Sequence, residues 1–167
     1  MTALQLPTVF RRPDEGEALW VLGGLYTYRA VPKETGAYLL VEVEGPAGLA
    51  TPTHVHDAEE EGFYVVSGTV RIAVGDRTVD ASAGSFVMVP RGTPHAFVLA
   101  SPDAKLLLLI TPGSQHEQLF RAIGGPAPRR EVPAAPGGPI DLPALAAVAA
   151  ANGTTLVGPP PSDRPRA

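Results

Sequence analysis

The chain of 167 residues contains no cysteine. It can therefore form neither a disulfide framework nor a thiolate metal site, so any bound metal must take nitrogen and oxygen ligands. Lysine is also scarce, because Lys33 and Lys105 are the only two in the sequence. The arginine pairs at 11–12 and 129–130 are isolated, and the formal net charge is −4 at pH 7. We therefore expect no nucleic-acid partner.

Long hydrophobic runs are missing as well. The longest aliphatic stretch, 106–110, is far shorter than the roughly 20 residues that a membrane-spanning helix needs. The sequence before Trp20 lacks the basic-then-apolar order of a secretory signal, since Pro7, Arg11 and Arg12 interrupt it. We expect a cytoplasmic protein with no membrane partner.

Glycine and proline are abundant, with 18 and 19 residues. Apolar residues make up 44% of the chain and charged residues 18%, a balance typical of soluble globular proteins. The length suits one domain with a sizeable core. The frequent glycines and prolines favour many short strands joined by turns over long helices.

Alternating apolar segments separated by turn residues predict strands from residue 19 to residue 111. Ser67-Gly68 and Gly75-Asp76 have the composition of tight hairpin turns. So many short strands at regular spacing indicate a β-sandwich or a closed barrel. The predicted strands are 19–22, 25–30, 37–44, 63–66, 69–74, 77–80, 86–89, 96–99 and 106–110.

The pattern after residue 112 is helical. Ser114 and Glu117 have the spacing of a capping box, and Gly124 ends the predicted helix. After a linker at 126–139, Asp141 should cap an alanine-rich helix. An edge strand could follow at 154–157. The predicted organisation is an N-terminal arm at 1–18, a barrel at 19–112, a helical extension at 113–157 and a disordered tail at 158–167.

The candidate chemistry begins with two histidines in the pattern Gly48-x5-His54-x-His56-x4-Glu61-x6-Gly68. Residues two apart in a strand point to the same face, so His54 and His56 project together. A hairpin would bring the Glu61 carboxylate opposite the two imidazoles. A lone His-x-His pair is often an incidental surface feature, so the spaced glutamate matters to the interpretation.

Other acids lie close to Glu61. The spacing from Gly68 selects Glu61 over Asp57, Glu59 and Glu60. We expect the other three to lie in a solvated turn. The alternative is that Glu59 or Glu60 contacts the ligating side chains without binding the metal itself.

A second cluster has the pattern Gly84-x5-Pro90-x-Gly92-x2-His95. Pro90 and Gly92 suit a turn, and His95 opens the following strand, where it could supply a third imidazole. The joint occurrence of the two clusters predicts a metal site. The fourth histidine, His116, falls on the polar side of the predicted helix, and we expect it at the surface.

Apolar side chains near these clusters predict a cavity suited to an aromatic or polyketide-like ligand. Phe97 and Leu99 share a strand face with His95, and Phe63 lies near Glu61. Met88 on the preceding strand is a further candidate. For Phe63 and Met88 we favour core packing over direct contact with a substrate.

Both clusters resemble the two signature motifs of the cupin superfamily. The sequences of 61–68 (EGFYVVSG) and 90–97 (PRGTPHAF) resemble those of the small single-domain cupins related to bacterial quercetin 2,3-dioxygenase. The resemblance implies an all-β double-stranded β-helix, or jelly-roll barrel, with short C-terminal helices. It also implies one divalent metal on His54, His56, Glu61 and His95. The family often has an asparagine four residues after the last histidine, where this chain has Leu99.

The resemblance further implies a dioxygenase that acts with O2 on a flavonol-like or other aromatic or enolic substrate. Glu61 would serve as the catalytic base as well as a ligand. The metal could be Fe, Mn, Co, Ni, Cu or Zn, because each tolerates imidazole with carboxylate. A non-oxidative polyketide cyclase, an isomerase and a non-catalytic binding protein remain alternatives, since one fold hosts many chemistries. By the same resemblance we expect a homodimer.

Overall fold

The structure, a computed structural model, describes residues 7–134 and 140–161. These residues form short strands and three helices, and most of the strands lie within the region that the sequence predicted. In chain order the elements are β1 (Ala18–Val21), β2 (Gly24–Ala30), α1 (Pro32–Thr35), β3 (Leu39–Glu44), β4 (Thr53–His56), β5 (Glu60–Ser67), β6 (Thr69–Val74), β7 (Arg77–Ser82), β8 (Phe86–Val89), β9 (His95–Leu99), β10 (Lys105–Thr111), α2 (Ser114–Ile123), β11 (Gly125–Pro126), α3 (Leu142–Ala151) and β12 (Thr154–Gly158).

The strands form two antiparallel sheets. One has seven strands in the order β11-β1-β2-β3-β10-β5-β8, and the other has five in the order β12-β4-β9-β6-β7. Along β10, Leu106, Leu108 and Ile110 are buried while the residues between them are partly exposed, because alternate side chains point to opposite faces. The inward-facing residues of both sheets form one apolar core. This confirms the predicted all-β barrel.

The predicted strands are present with small shifts of their ends. The turn predicted at Gly75-Asp76 joins β6 and β7 in a hairpin, whereas β5 and β6 belong to different sheets, so the hairpin predicted at Ser67-Gly68 is wrong. The chain crosses between the sheets at Gly68, which has φ +68° and whose Cβ, if it had one, would collide with Ser101 and Ala104. The predicted strand at 37–44 begins two residues late, at Leu39. The short helix α1 precedes it, with Pro32 at its start, where a missing N–H costs nothing.

Helix α2 ends at Ile123 as predicted, but it is not capped by Ser114. Gly113 occupies the N-cap position with φ 84°, and Ser114 is already helical. Glu117 instead forms an ion pair with Arg121, 3.0 Å from its Nη2. The predicted capping box is therefore wrong, since the turn before the helix places a glycine where the box needs a side chain.

The C-terminal extension packs back onto the barrel. Asp141 caps α3 by accepting a hydrogen bond of 3.0 Å from the backbone N–H of Ala144. The predicted edge strand is present as β12, which pairs with β4. Parts of the predicted linker and tail, 135–139 and 162–167, lie outside the described residues, and the division into arm, barrel, extension and tail stays a prediction. No helix in 7–134 or 140–161 is long and apolar enough to cross a membrane.

Candidate metal centre

Three imidazoles meet on the inner face of the five-stranded sheet. In β4, His54 and His56 are buried, while Thr53 and Val55 are partly exposed. His95, at the start of β9, lies directly opposite His54 in the strand pairing. Directly opposed residues share a face, and the ring centroids of His54 and His95 are 4.5 Å apart. The alternation in β4 thus produces the side-by-side imidazoles that the sequence predicted.

The carboxylate comes from the other sheet. Glu61 on β5 is 4% exposed, and its Oε2 lies 3.0 Å from His95 Nε2 and 3.6 Å from His56 Nε2. One ligating atom from each of the four residues lies within 4.8 Å of the others. The structure therefore brings together the four residues that the sequence singled out.

The hydrogen bonds of these histidines fit a metal. His54 Nδ1 donates to the carbonyl of Pro52 at 2.7 Å, and His95 Nδ1 donates to that of Thr93 at 2.8 Å. Both bonds leave Nε2 for the cluster and fix the orientation of the rings, as the outer partners of metal-binding histidines do. Among the described residues, neither ring nitrogen of the buried His56 has a hydrogen-bond partner. Such a group is costly, and a cation at the cluster would satisfy one of its nitrogens.

The electrostatics give three of the four residues the protonation state that a metal requires. Burial lowers the pKa of His54 to about 4 and that of His56 to about 2, so both rings are neutral near pH 7. Burial alone would raise the pKa of Glu61, but the hydrogen bond from His95 outweighs it and the pKa is lowered to about 2. Burial acts to lower the pKa of His95, but its hydrogen bond to Glu61 outweighs burial and raises the pKa, so a metal would have to displace the proton between these two residues. Neutral imidazoles and an ionised carboxylate are the forms that bind metal.

His116 lies elsewhere than predicted. It is 3% exposed, and its ring centroid lies 4.1 Å from that of His56. Our expectation of a surface residue is wrong because His116, Leu119 and Phe120 are spaced i, i+3 and i+4 and so share one helix face. All three are buried against the barrel. That spacing is visible in the sequence and could have placed His116 correctly.

Glu59 is the partner of His116 and the second residue that the sequence analysis misplaced. Its carboxylate is 1% exposed and accepts a 2.6 Å hydrogen bond from His116 Nδ1. It also accepts from the backbone N–H groups of Gln115 at 3.0 Å and His116 at 3.1 Å. Glu59 thus caps α2 from outside the helix. Glu60 is instead partly exposed and pairs with Arg91, as a solvated turn predicts.

A cavity opens beside the cluster, and the predicted pocket residues relate to it differently. Phe97 lines it. Phe63 and Leu99 belong to the buried core, where Phe63 packs edge-on against Phe97 with centroids 6.1 Å apart. Met88 points the other way and is 47% exposed. It pairs with Gly62 and not with Glu61, whose partner is Val89, so the strand register turns Met88 to the outer face.

The C-terminal extension supplies much of the cavity wall. Its apolar contributions, which the sequence analysis did not predict, are Leu119, Phe120, Ile123, Leu145, Ala149 and Leu156. The cavity encloses about 50 Å³, well below the roughly 300–1,000 Å³ of pockets for drug-sized ligands. A small single ring therefore suits this narrow cavity better than a larger polycyclic ligand.

Comparisons with known proteins agree with this geometry. The profile of the family described as "Cupin domain" matches residues 40–111. Quercetin 2,3-dioxygenase of Bacillus subtilis is 31% identical over 113 residues, which are 67% of this chain and 33% of the relative. An uncharacterized protein of Streptomyces coelicolor is 40% identical over 85 residues, 46% of this chain and 81% of the relative. The chain spans about a third of the length of the quercetin 2,3-dioxygenases that it matches.

Solved structures give the same fold. An RmlC-like cupin from Shewanella frigidimarina superposes with a TM-score of 0.58 at 19% identity, covering 68% of this chain and 99% of the other. At that identity the likeness concerns the fold alone. With the profile match and the sequence relatives, it shows that the chain belongs to the cupin superfamily, as a small cupin that resembles quercetin 2,3-dioxygenase.

Proposed function

We propose that this cupin is a metal-dependent dioxygenase that acts on a flavonol-like or other aromatic or enolic substrate. One observation carries the proposal: three histidines and a glutamate converge in a buried cluster that borders an apolar cavity. The relatives named quercetin 2,3-dioxygenase support the choice of reaction class.

His54, His56, Glu61 and His95 would hold one divalent transition metal. Four nitrogen and oxygen ligands leave room for substrate on a five- or six-coordinate ion, as catalysis needs. When bound, the metal would supply a Lewis acid that lowers the pKa of an enol or phenol oxygen. The donor set is compatible with Fe, Mn, Co, Ni, Cu and Zn.

The remaining chemistry belongs to side chains of this protein. Glu61 is ionised at neutral pH, since its pKa is lowered to about 2, so a carboxylate oxygen is available to accept the proton of an incoming enol. Phe97, Leu119 and Phe120 wall the cavity and would hold a flat apolar ring against the cluster. With a ring bound between them, the same apolar walls would leave little room for water, which would strengthen the electrostatic interactions inside.

The test is a paired aerobic and anaerobic assay of metal-loaded protein against a panel of flavonols and single-ring enols, with metal content measured on each sample. We expect turnover and O2 consumption only in the aerobic arm. Product formed equally without O2 would refute the dioxygenase proposal and indicate a non-oxidative cyclisation or isomerisation. Ligand binding without turnover in either arm would indicate a binding protein.

A further inference from the structure

The cavity is lined by His54 and Glu61 of the cluster and by four further residues with polar side-chain atoms. They are Tyr26, Thr51, His116 and Thr154. Thr51 is already engaged, because its Oγ1 accepts a hydrogen bond of 3.3 Å from the backbone N–H of Phe97. Thr154 is 2% exposed, and its hydroxyl has no hydrogen-bond partner among the described residues. A buried hydroxyl without a partner is costly in a folded protein, so Thr154 is poised to contact a ligand.

His116 also lines the cavity, and hydrogen bonds fix the orientation of its ring. Its Nδ1 donates to Glu59, and that carboxylate is fixed in turn by two backbone N–H groups of α2. The bond to Glu59 occupies Nδ1 and leaves Nε2 as the ring nitrogen that can meet a ligand. Because the ring lines the cavity, its orientation is set before any ligand arrives, which lowers the entropic cost of binding.

Both residues flank His56. Thr154 lies directly opposite His56 in the pairing of β12 with β4, so their side chains share a face. The His116 ring packs on His56 with centroids 4.1 Å apart. His56 thus lies next to both residues and also belongs to the cluster, which places Thr154 and His116 one side chain away from it.

We propose that Thr154 and His116 form a second contact point, which binds an oxygen of the substrate not adjacent to the oxygen bound at the cluster. The substrate class that fits is a small aromatic ring with hydroxyls on alternate carbons, such as a resorcinol. The inference rests on the proposed function only for the placement of the first oxygen at the cluster. The second contact point selects among substrates and does not require O2.

The experiment measures binding by calorimetry to the full chain loaded with Zn(II). The probes are phenol, resorcinol and catechol, which are small enough for the narrow cavity and differ only in a second hydroxyl. The two hydroxyls of resorcinol point away from each other on a rigid ring and cannot chelate one ion, whereas the adjacent oxygens of catechol can. We expect resorcinol to bind about five- to tenfold more tightly than phenol, the usual worth of one added hydrogen bond.

Two variants assign that gain to the contact point. Thr154→Val keeps the shape and removes the hydroxyl, while Thr154→Ser keeps the hydroxyl as the matched control. His116→Asn retains a donor near the position of Nδ1 for Glu59 and removes Nε2. We expect Thr154→Val and His116→Asn to bring resorcinol to the affinity of phenol, with phenol and catechol unchanged and Thr154→Ser close to the parent protein.

The proposal is overturned if resorcinol binds no more tightly than phenol, or if Thr154→Val weakens all three probes equally. Thermal unfolding verifies that each variant is folded. If His116→Asn does not fold, Thr154→Val alone decides the outcome. Failure of the proposed function is seen separately, as absent O2 consumption or as phenol binding that persists after the metal is removed with a chelator.

Discussion

Replacement of Glu59 by alanine tests whether this carboxylate joins the C-terminal extension to the barrel. The change leaves three donors without their acceptor, namely two backbone N–H groups at the start of α2 and Nδ1 of His116. Hydrogen bonds to a charged group contribute about 1.5–3 kcal/mol each, and breaking a buried pair typically costs about 3–5 kcal/mol. Because alanine also removes the cost of burying a charge, we expect a loss near the lower end, about 3 kcal/mol.

For a chain of this size each kcal/mol moves Tm by about 2–4 °C, so thermal unfolding followed by circular dichroism should show a fall of about 6–12 °C. Glu60→Ala is the matched control, since it removes the neighbouring carboxylate and only an exposed pair with Arg91. Such surface pairs contribute about 0–1 kcal/mol, and Tm should hardly change. Equal Tm values for the two variants would refute the role assigned to Glu59.

Three further predictions concern the cluster and the N-terminal arm. His54→Ala and His95→Ala should each lower the metal content, measured by elemental analysis, because each removes one of four ligands; unchanged content would contradict the proposed site. Glu61→Gln should retain much of the metal and lose turnover by about 100-fold or more, the usual worth of a positioned base, whereas near-normal turnover would place the base elsewhere. The side-chain hydrogen bond from Arg121 lowers the pKa of Glu17, so this pair stabilises the fold above the unfolded pKa and loses its effect as pH falls through the folded value. The Tm difference between the parent protein and Glu17→Gln should therefore shrink towards acidic pH, and a constant difference would count against the pairing.

Most of the correct predictions rest on the alternation of side-chain direction along a strand. It placed His54 and His56 on one face, and the glycine-bounded spacing selected Glu61 from four neighbouring acids. These signals are local, because the parity of a residue depends only on its own strand. Together with the cupin resemblance, they predicted the barrel and the convergence of the four side chains, but Glu61 reaches the imidazoles from the opposite sheet and not through the hairpin that we expected.

The misplaced residues depend on contacts between distant segments. Met88 was misassigned because the face of β8 is set by its register with β5, which a single strand does not encode. Glu59 was expected in solvent because its partners lie 56 and 57 residues away, at the start of α2. His116 is the exception. Its i, i+3 and i+4 spacing with Leu119 and Phe120 is visible in the sequence and indicates burial, but we gave more weight to the polar residues around it. The homodimer, the cytoplasmic location and the identity of the metal stay predictions.

The pairing of β12 with β4 has a consequence for how the protein matures during synthesis. The strand that carries His54 and His56 meets β9 at a single residue pair, His54 with His95, and is held in its sheet mainly by residues 154–158. Until residues 154–158 have been synthesised, β4 is therefore an open edge that can pair wrongly with another chain. Enclosure of the two histidines must follow the synthesis of β12, and a chain truncated before residue 154 would expose β4 to aggregation.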